Sequence, residues 1–214
     1  MTDSIRVLLA DDHAVVRSGV RRLLEHHDGI EVVAEAESGE QAYQFFIDYS
    51  PDVLVMDMSM PGMGGLEALR RILARYSQAK IIIFSMQENA IFATQALSAG
   101  AVGYIAKSGD TDDLVRAIRD ISQGKNFLSA PMAQKIALQS FSANENPVHT
   151  LTAREFEVFR FIAEGKVVEE IAQLLNIGQK TVANYQTLLK QKLGVSSPVE
   201  LVRLAIKCGV IEGE

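Results

Sequence analysis

The chain has 214 residues, of which 48% are hydrophobic and 22% charged, and its formal net charge is -6 at pH 7. This composition is typical of globular proteins, and the length favours two domains over one. The negative charge argues against a protein that coats nucleic acid with its whole surface. No apolar run of about 18 residues occurs, and no basic segment followed by an apolar one opens the chain, so we expect a cytoplasmic protein that does not bind membranes.

Short apolar runs alternate with longer amphipathic segments from residue 5 to about residue 123. The apolar runs are 5–10, 30–36, 52–57, 80–85 and 102–107. Nearly continuous Val, Ile and Leu is typical of parallel strands that are covered on both faces. Helix-start signals lie between the runs, for example Ser38 with Gln41 three residues later. The pattern predicts a doubly wound α/β domain with a five-stranded parallel sheet.

The pattern changes after Gly124, and strand signals disappear. Residues 129–140 predict one helix, and residues 141–150 cluster Ser, Asn and Pro as a linker does. From Leu151 only helical segments follow, and Thr152 with Glu155 forms a capping box at the first of them. We therefore predict an α/β domain, a helical or flexible linker and a small all-α domain, over residues 1–124, 125–147 and 148–214.

Five polar side chains stand where predicted strands end, namely Asp11, Asp12, Asp57, Ser85 and Lys107. The carboxyl ends of parallel strands meet at one edge of the sheet, where ligands bind in α/β folds. A single acid at a strand end is usually a helix cap or a solvated loop residue. The coincidence of several strand ends is what predicts a site.

The expected cluster has the composition of a phosphoryl-transfer site. Three carboxylates in one pocket need a cation, and all-oxygen ligation suits Mg²⁺. Lys107 supplies a second positive charge and Ser85 a hydroxyl. Since phosphoryl transfer depends mostly on positioning and charge neutralisation, Asp57 is the expected nucleophile. His13 follows the acid pair, and at a helix start it fits a cap or surface residue better than a metal ligand.

These motifs resemble the receiver domain of bacterial two-component response regulators, a CheY-like domain with the flavodoxin-like fold, over about residues 3–123. The similar segments are Asp11-Asp12, DMSMPG starting at Asp57, Ser85, and GYIAK ending at Lys107. The resemblance implies that Asp57 accepts a phosphoryl group from a histidine kinase. It also implies that Lys107 pairs with the phosphate and that Ser85 donates its hydroxyl to it.

The same resemblance implies the metal ligands and a switch. Asp12 and Asp57 bind Mg²⁺, with help from Asp11 and from the backbone carbonyl of Ser59. Tyr104 swings inward on activation and forms the switch together with Ser85. The expected chemistry is limited to accepting the phosphoryl group and to slow self-dephosphorylation, so the chain is not expected to be an enzyme.

The second domain contains the spacing of a helix-turn-helix, with a short turn at Asn176-Ile177-Gly178. No Asp or Glu occurs from Ile171 through Val199. At about 100° per residue the second helix has an apolar stripe and an opposite polar stripe. The apolar stripe is Val182, Leu189 and Leu193 with Tyr185 at its border, and the polar stripe is Lys180, Ala183, Asn184, Thr187 and Gln191. A solvated helix face is the alternative, but the preceding helix and turn favour a face that enters the major groove of DNA.

This region resembles the LuxR-type helix-turn-helix domain across residues 148–211. The similar segments are LTAREFEVFRFIAEG, EEIAQLLNI, KTVANYQ and KLGV. A receiver followed by this domain is the architecture of NarL/FixJ-type response regulators, which implies a dimer that regulates transcription on paired half-sites of double-stranded DNA. The expected DNA-binding residues are Lys180, Thr181, Ala183, Asn184, Thr187, Lys190 and Gln191.

Two other functions are consistent with parts of the sequence. Glu169, Ala183 and Tyr185 depart from the residues usual in LuxR-type domains, which favours a regulator that acts through protein contacts with weak or lost DNA binding. A phosphatase with Asp57 as nucleophile is less favoured, because Ser59 stands where a general acid is usual.

Overall fold

The computed structural model describes residues 4–141 and 147–211. The strands are β1 (Ile5–Ala10), β2 (Ile30–Ala36), β3 (Val53–Met56), β4 (Ile81–Ser85), β5 (Gly103–Ala106) and β6 (Phe127–Leu128). The helices are α1 (Ala14–Glu25), α2 (Gly39–Tyr49), α3 (Gly65–Arg75), α4 (Ala90–Ser98), α5 (Thr111–Ser122), α6 (Ala130–Phe141), α7 (Ala153–Ala163), α8 (Val168–Leu174), α9 (Gln179–Leu193) and α10 (Pro198–Lys207). Among the described residues, none of these helices has the length and apolar character needed to cross a membrane.

The six strands form one parallel sheet in the order β2-β1-β3-β4-β5-β6. The five predicted strands are confirmed, and each observed end lies within one residue of its prediction. Every residue of β3 is buried, as expected for a central strand covered on both faces. The sixth strand, Phe127–Leu128, was not predicted, because two residues are too few to show a periodic pattern.

Close contacts between residues divide the chain into two units. Unit 1 comprises the residues up to Glu88 together with Ala96–Ala133, and unit 2 comprises Asn89–Gln95 together with the residues from Gln134 onward. In unit 2 the Phe92 ring meets the Phe156 ring edge-on, with 5.1 Å between centroids. The domain boundaries at residues 124 and 147 stay a prediction.

The loop after β3 is held tightly against the start of α3. The N–H of Gly65 donates a hydrogen bond to the carbonyl of Met58 at 3.0 Å. The N–H of Met63 donates to the Glu40 carboxylate at 2.9 Å. A Cβ atom on Gly65 would lie 2.1 Å from the carbonyl oxygen of Asp57, so only glycine allows this approach.

The helix-turn-helix of unit 2 is confirmed. Its turn follows α8, where Asn176 adopts a left-handed backbone with φ of 49° and the N–H of Ile177 bonds to the carbonyl of Ala172 at 3.0 Å. The capping box that starts α7 is also confirmed, with Thr152 N–H donating to Glu155 at 2.7 Å.

The predicted linker is described only in part. Its helix is confirmed as α6, and Pro147–Thr150 forms a 3-10 helix. The remainder of the predicted linker, residues 142–146, lies outside the described residues.

Replacing Gly65 with Ala is expected to destabilise unit 1 by about 2 kcal/mol, because the new methyl group forces the Asp57 backbone to move. The matched control is Gly19→Ala in the interior of α1, where a Cβ meets nothing within 4 Å. That change is expected to stabilise the helix by about 0.5–1 kcal/mol. Urea unfolding measures both, and equal effects of the two substitutions would contradict the steric argument.

Candidate functional site

The strand ends bring Asp11, Asp57, Ser85 and Lys107 together, as the sequence predicted. All four are at or near full burial: Asp11 is 5% exposed, Asp57 3% and Ser85 1%, and the Lys107 side chain is 5% exposed. The Lys107 ammonium lies 2.6 Å from Asp11 Oδ2 and 2.9 Å from Asp57 Oδ2. One cation therefore bridges two buried carboxylates.

The bridge keeps Lys107 charged. Burial by itself lowers the pKa of this ammonium, but the hydrogen bonds to Asp11 and Asp57 outweigh burial and raise the pKa above its usual value. The folded-state pKa therefore lies above the unfolded one. The resulting stabilisation is present in full below the ordinary lysine pKa and is lost as the pH rises through the raised value.

The pocket contains a group of side chains that could hold a metal ion. Ligand atoms of Asp11, Asp12, His13 and Asp57 all lie within 4.8 Å of one another. Asp57 Oδ1 is buried and has no hydrogen-bond partner among the described residues. A buried carboxylate oxygen without a partner is costly, and a cation would satisfy it. The oxygen-rich donor set therefore fits a hard divalent cation.

The remaining residues predicted for the metal site lie at the rim of the pocket. Asp12 is exposed, and Ser59 is half-buried on the loop that follows β3. His13 stands at the N-cap position of α1 and is exposed, as predicted. Its backbone N–H donates to Asp11 Oδ1 at 2.8 Å, and its ring Nδ1 lies 2.9 Å from Asp12 Oδ1. The backbone of His13 therefore helps to hold the Asp11 carboxylate in place.

Ser85 and Tyr104 are joined through one residue, Gln87. The N–H of Gln87 donates to Ser85 Oγ at 3.3 Å, and the Tyr104 hydroxyl donates to the Gln87 carbonyl at 2.7 Å. Tyr104 is completely buried, and burial raises the pKa of its hydroxyl well above the usual value. Tyr104 therefore lies inside the fold in this structure, and its role as a switch stays a prediction.

The two stripes predicted for α9 separate as expected. Val182, Leu189 and Leu193 are buried, and Tyr185 is half-buried between the stripes. Lys190 is half-buried as well. The other residues predicted to bind DNA are all exposed, namely Lys180, Thr181, Ala183, Asn184, Thr187 and Gln191. This exposed set therefore offers the ammonium of Lys180, the side-chain amides of Asn184 and Gln191, and small hydroxyl or methyl groups.

The first turn of α7 holds both helices of the helix-turn-helix. Arg154 donates to the carbonyl of Leu175, at the end of α8, at 2.6 Å. Lys192, near the end of α9, donates to the buried carboxylate of Glu155 at 2.8 Å. Burial alone raises the pKa of Glu155, but the bonds to Lys192 and Thr152 outweigh it and lower that pKa below its usual value.

Comparison with known proteins agrees with both halves of this description. A model of the response regulator receiver domain matches residues 7–119, and a model of bacterial regulatory proteins of the luxR family matches residues 149–205. Response regulator GacA of Pseudomonas viridiflava is 39% identical over 97% of this chain and 98% of its own length. This chain belongs to the response regulators. Response regulator UvrY of Escherichia coli K12 is also 39% identical to it, over 98% of this regulator and 97% of UvrY.

Solved structures give the same assignment. RcsB from Salmonella enterica serovar Typhimurium, bound to promoter rprA in the presence of the phosphomimetic BeF3-, is 28% identical to this response regulator with a TM-score of 0.69. The match covers 94% of this regulator and 98% of that chain. A LuxR-family two-component response regulator from Aurantimonas sp. SI85-9A1 is 43% identical with a TM-score of 0.63, over 65% of this regulator and 99% of that chain.

Sequence reasoning missed three residues that support the pocket of this response regulator. Arg17 donates to the backbone carbonyl of Asp11, Glu40 holds the loop after β3, and Gln87 joins Ser85 to Tyr104. Only Arg17 left a signal. It has the i, i+3, i+7 spacing with Val20 and Leu24 that marks the inward stripe of a helix.

Replacing Lys107 with Met is expected to destabilise unit 1 by about 3–5 kcal/mol, because two buried carboxylates lose their cation. Adding Asp57→Asn to Lys107→Met should recover part of that loss, since one of the repelling charges disappears. Urea unfolding of the wild type, both single variants and the double variant measures the coupling. Strictly additive losses would show that the two side chains do not interact.

Proposed function

We propose that this response regulator accepts a phosphoryl group on Asp57 from a sensor histidine kinase and, once phosphorylated, regulates transcription by binding specific DNA sequences. The bridge of Lys107 between Asp11 and Asp57 carries this proposal. It holds a positive charge against Asp57 at the end of β3, where a phosphate would add negative charge.

The transfer step requires little covalent chemistry from the protein. A carboxylate oxygen of Asp57 forms a bond to phosphorus while the bond from phosphorus to the donor histidine nitrogen breaks. The electron pair of the broken bond returns to the imidazole, so no oxidant or reductant takes part. Lys107 then pairs with the new phosphate and Ser85 donates its hydroxyl to it. In slow self-dephosphorylation a water oxygen forms a bond to phosphorus while the bond from Asp57 to phosphorus breaks, which returns the carboxylate and releases inorganic phosphate.

Mg²⁺ is the proposed cofactor. Asp12 and Asp57 would hold it, with Asp11 and the backbone carbonyl of Ser59 assisting, and when bound it neutralises charge on the transferring phosphoryl group. The oxygen-rich cluster and the unsatisfied Asp57 Oδ1 support this choice of ion.

The proposed signal passes from the pocket through Ser85 and Tyr104. Gln87 is bonded to both residues, and two positions later the chain enters the segment Asn89–Gln95, which belongs to unit 2. A shift from 1:99 to 99:1 between two states needs about 5.5 kcal/mol. New charge-assisted hydrogen bonds to a phosphate are strong enough to supply a large part of that energy.

The proposed output is a homodimer on paired half-sites of promoter DNA, in the cytoplasm. The exposed face of α9 supports DNA binding, because Asn184 can read adenine while the methyl groups of Ala183 and Thr187 can meet thymine. The solved RcsB structures with promoter DNA support the same role by similarity.

Phosphorylation-dependent DNA binding is tested by duplex binding over a salt series, with Mg²⁺, before and after treatment with a small acyl phosphate. Asp57→Ala is expected to abolish the gain caused by the phosphoryl donor, because the acceptor oxygen is gone. Asp48→Ala removes an exposed acid of α2 and is the matched control. Equal binding by Asp57→Ala and phosphorylated wild type would refute the proposal.

A second candidate function is control of partners by protein contact with weak DNA binding. Exposed Glu169 at the start of α8 favours it, because a carboxylate there repels phosphates, and so does exposed Ala183, which adds no positive charge to the face of α9. The absence of duplex binding at low salt by a protein that is phosphorylated on Asp57 would support this candidate.

Substitutions on α9 are expected to separate base reading from phosphate contact. Asn184→Ala should reduce the preference for the specific duplex by about 1–3 kcal/mol and leave the salt dependence unchanged. Lys180→Ala should weaken binding to all duplexes and reduce the slope of log K against log salt by about 0.9. Lys125→Ala removes the same charge from unit 1 and serves as the control. Identical effects of all three would argue against a DNA contact by α9.

A further inference from the structure

A buried arginine outside the predicted pocket contacts the turn that carries the acid pair. Arg17, on the first turns of α1, is 9% exposed. Its Nη1 donates to the backbone carbonyl of Asp11 at 2.7 Å, and this bond is buried. Arg17 also lines a small cavity together with Asp11 and Asp57. The guanidinium is therefore next to the pocket but bonded to its backbone, and it makes no ion pair with Asp11 or Asp57 among the described residues.

Two glutamates hold the guanidinium in that orientation. Arg17 Nε donates to Glu35 at 3.1 Å, and Nη2 donates to Glu37 at 2.7 Å. Glu35 is the next-to-last residue of β2, and its carboxylate also accepts from Arg21 at 2.6 Å. The two carboxylates compensate the charge of Arg17, so the guanidinium does not compete with a metal ion for the pocket acids. The planar guanidinium presents its N–H groups in a fixed fork that bonds to all three acceptors, whereas an ammonium is a compact point charge without that fixed geometry.

The Asp11-Asp12 turn is thereby held by bonds to both its backbone and its side chain. The Asp11 N–H donates to the carbonyl of Ala36 at 3.0 Å, its carbonyl accepts from Arg17, and its side chain binds Lys107 and the N–H of His13. Without Arg17 the buried carbonyl of Asp11 loses its side-chain donor. Ligands that must be ordered when a metal ion binds give weaker binding than ligands held in place beforehand.

We propose that Arg17 is a positioning residue for the metal site, which sets Mg²⁺ affinity by fixing the backbone of the Asp11-Asp12 turn. This inference rests on the proposed function, since it assumes that the pocket binds Mg²⁺. A purely structural ion pair between α1 and β2 is the competing explanation, and Arg21 provides the comparison. Arg21 lies one turn further along the same helix and shares Glu35, yet its side chain bonds to Glu25 and Glu35 and not to the Asp11-Asp12 turn.

The experiment compares Arg17→Met, Arg17→Lys and Arg21→Met with the wild type. Calorimetric titration with Mg²⁺ alone gives the dissociation constant, and the rate of phosphorylation by a small acyl phosphate is followed over a Mg²⁺ series. Arg17→Met is expected to raise the dissociation constant about tenfold, equivalent to about 1.4 kcal/mol. Arg17→Lys is expected to raise it about threefold, and Arg21→Met is expected to leave it unchanged.

The Mg²⁺ series separates positioning from stability. If Arg17 acts through the metal site, Arg17→Met needs more Mg²⁺ for half-maximal phosphorylation but reaches the wild-type plateau. A structural role alone lowers the plateau and leaves the half-saturating concentration unchanged, and that result overturns the inference. If Arg17→Met does not fold, Arg17→Lys decides, and a wild-type dissociation constant in that variant also overturns it. A wild type that neither binds Mg²⁺ nor takes up phosphate refutes the proposed function instead.

Discussion

The ammonium of Lys107 between the carboxylates of Asp11 and Asp57 is the interaction on which the pocket depends. Two buried carboxylates at one edge of a sheet repel each other, and burying them without a cation would be costly. The parallel order of the sheet places β3 next to β1 and β4 next to β5. The three charges therefore arrive from three strand ends and need no long loops to reach one another.

The loops around this bridge are held more firmly than their lack of regular structure suggests. Glu40 anchors the loop after β3, Gln87 joins the end of β4 to Tyr104 within β5, and Gly65 lets α3 approach the backbone of Asp57. Each of these contacts involves the backbone, and the backbone position decides where the Asp57 carboxylate and the Ser85 hydroxyl point. A site that reacts through positioning benefits from such support more than from additional reactive groups.

The second unit uses the same principle on a helix. The exposed face of α9 offers few charged groups for contact with DNA. Binding would therefore depend on how α9 is oriented. Arg154 and Glu155, neighbours on the first turn of α7, bind the end of α8 and the end of α9. Because one turn holds both helices, the angle between them is set by α7 rather than by the Asn176 turn alone. Gly178 at the start of α9 provides no side-chain cap, which increases the importance of these anchors.

The sequence alone determined the first five strands, the helix starts, the helix-turn-helix and the residues that meet at the strand ends. Those features depend on local patterns: apolar periodicity, capping residues and the rule that parallel strands end at one edge. What only the tertiary structure decided is how those residues are held. The bond from Arg17 to Asp11 spans six positions and that from Glu40 to Met63 spans 23, and neither spacing belongs to a helix or strand period. The close approach of Gly65 and the two-residue strand β6 likewise exist only once distant segments have packed together.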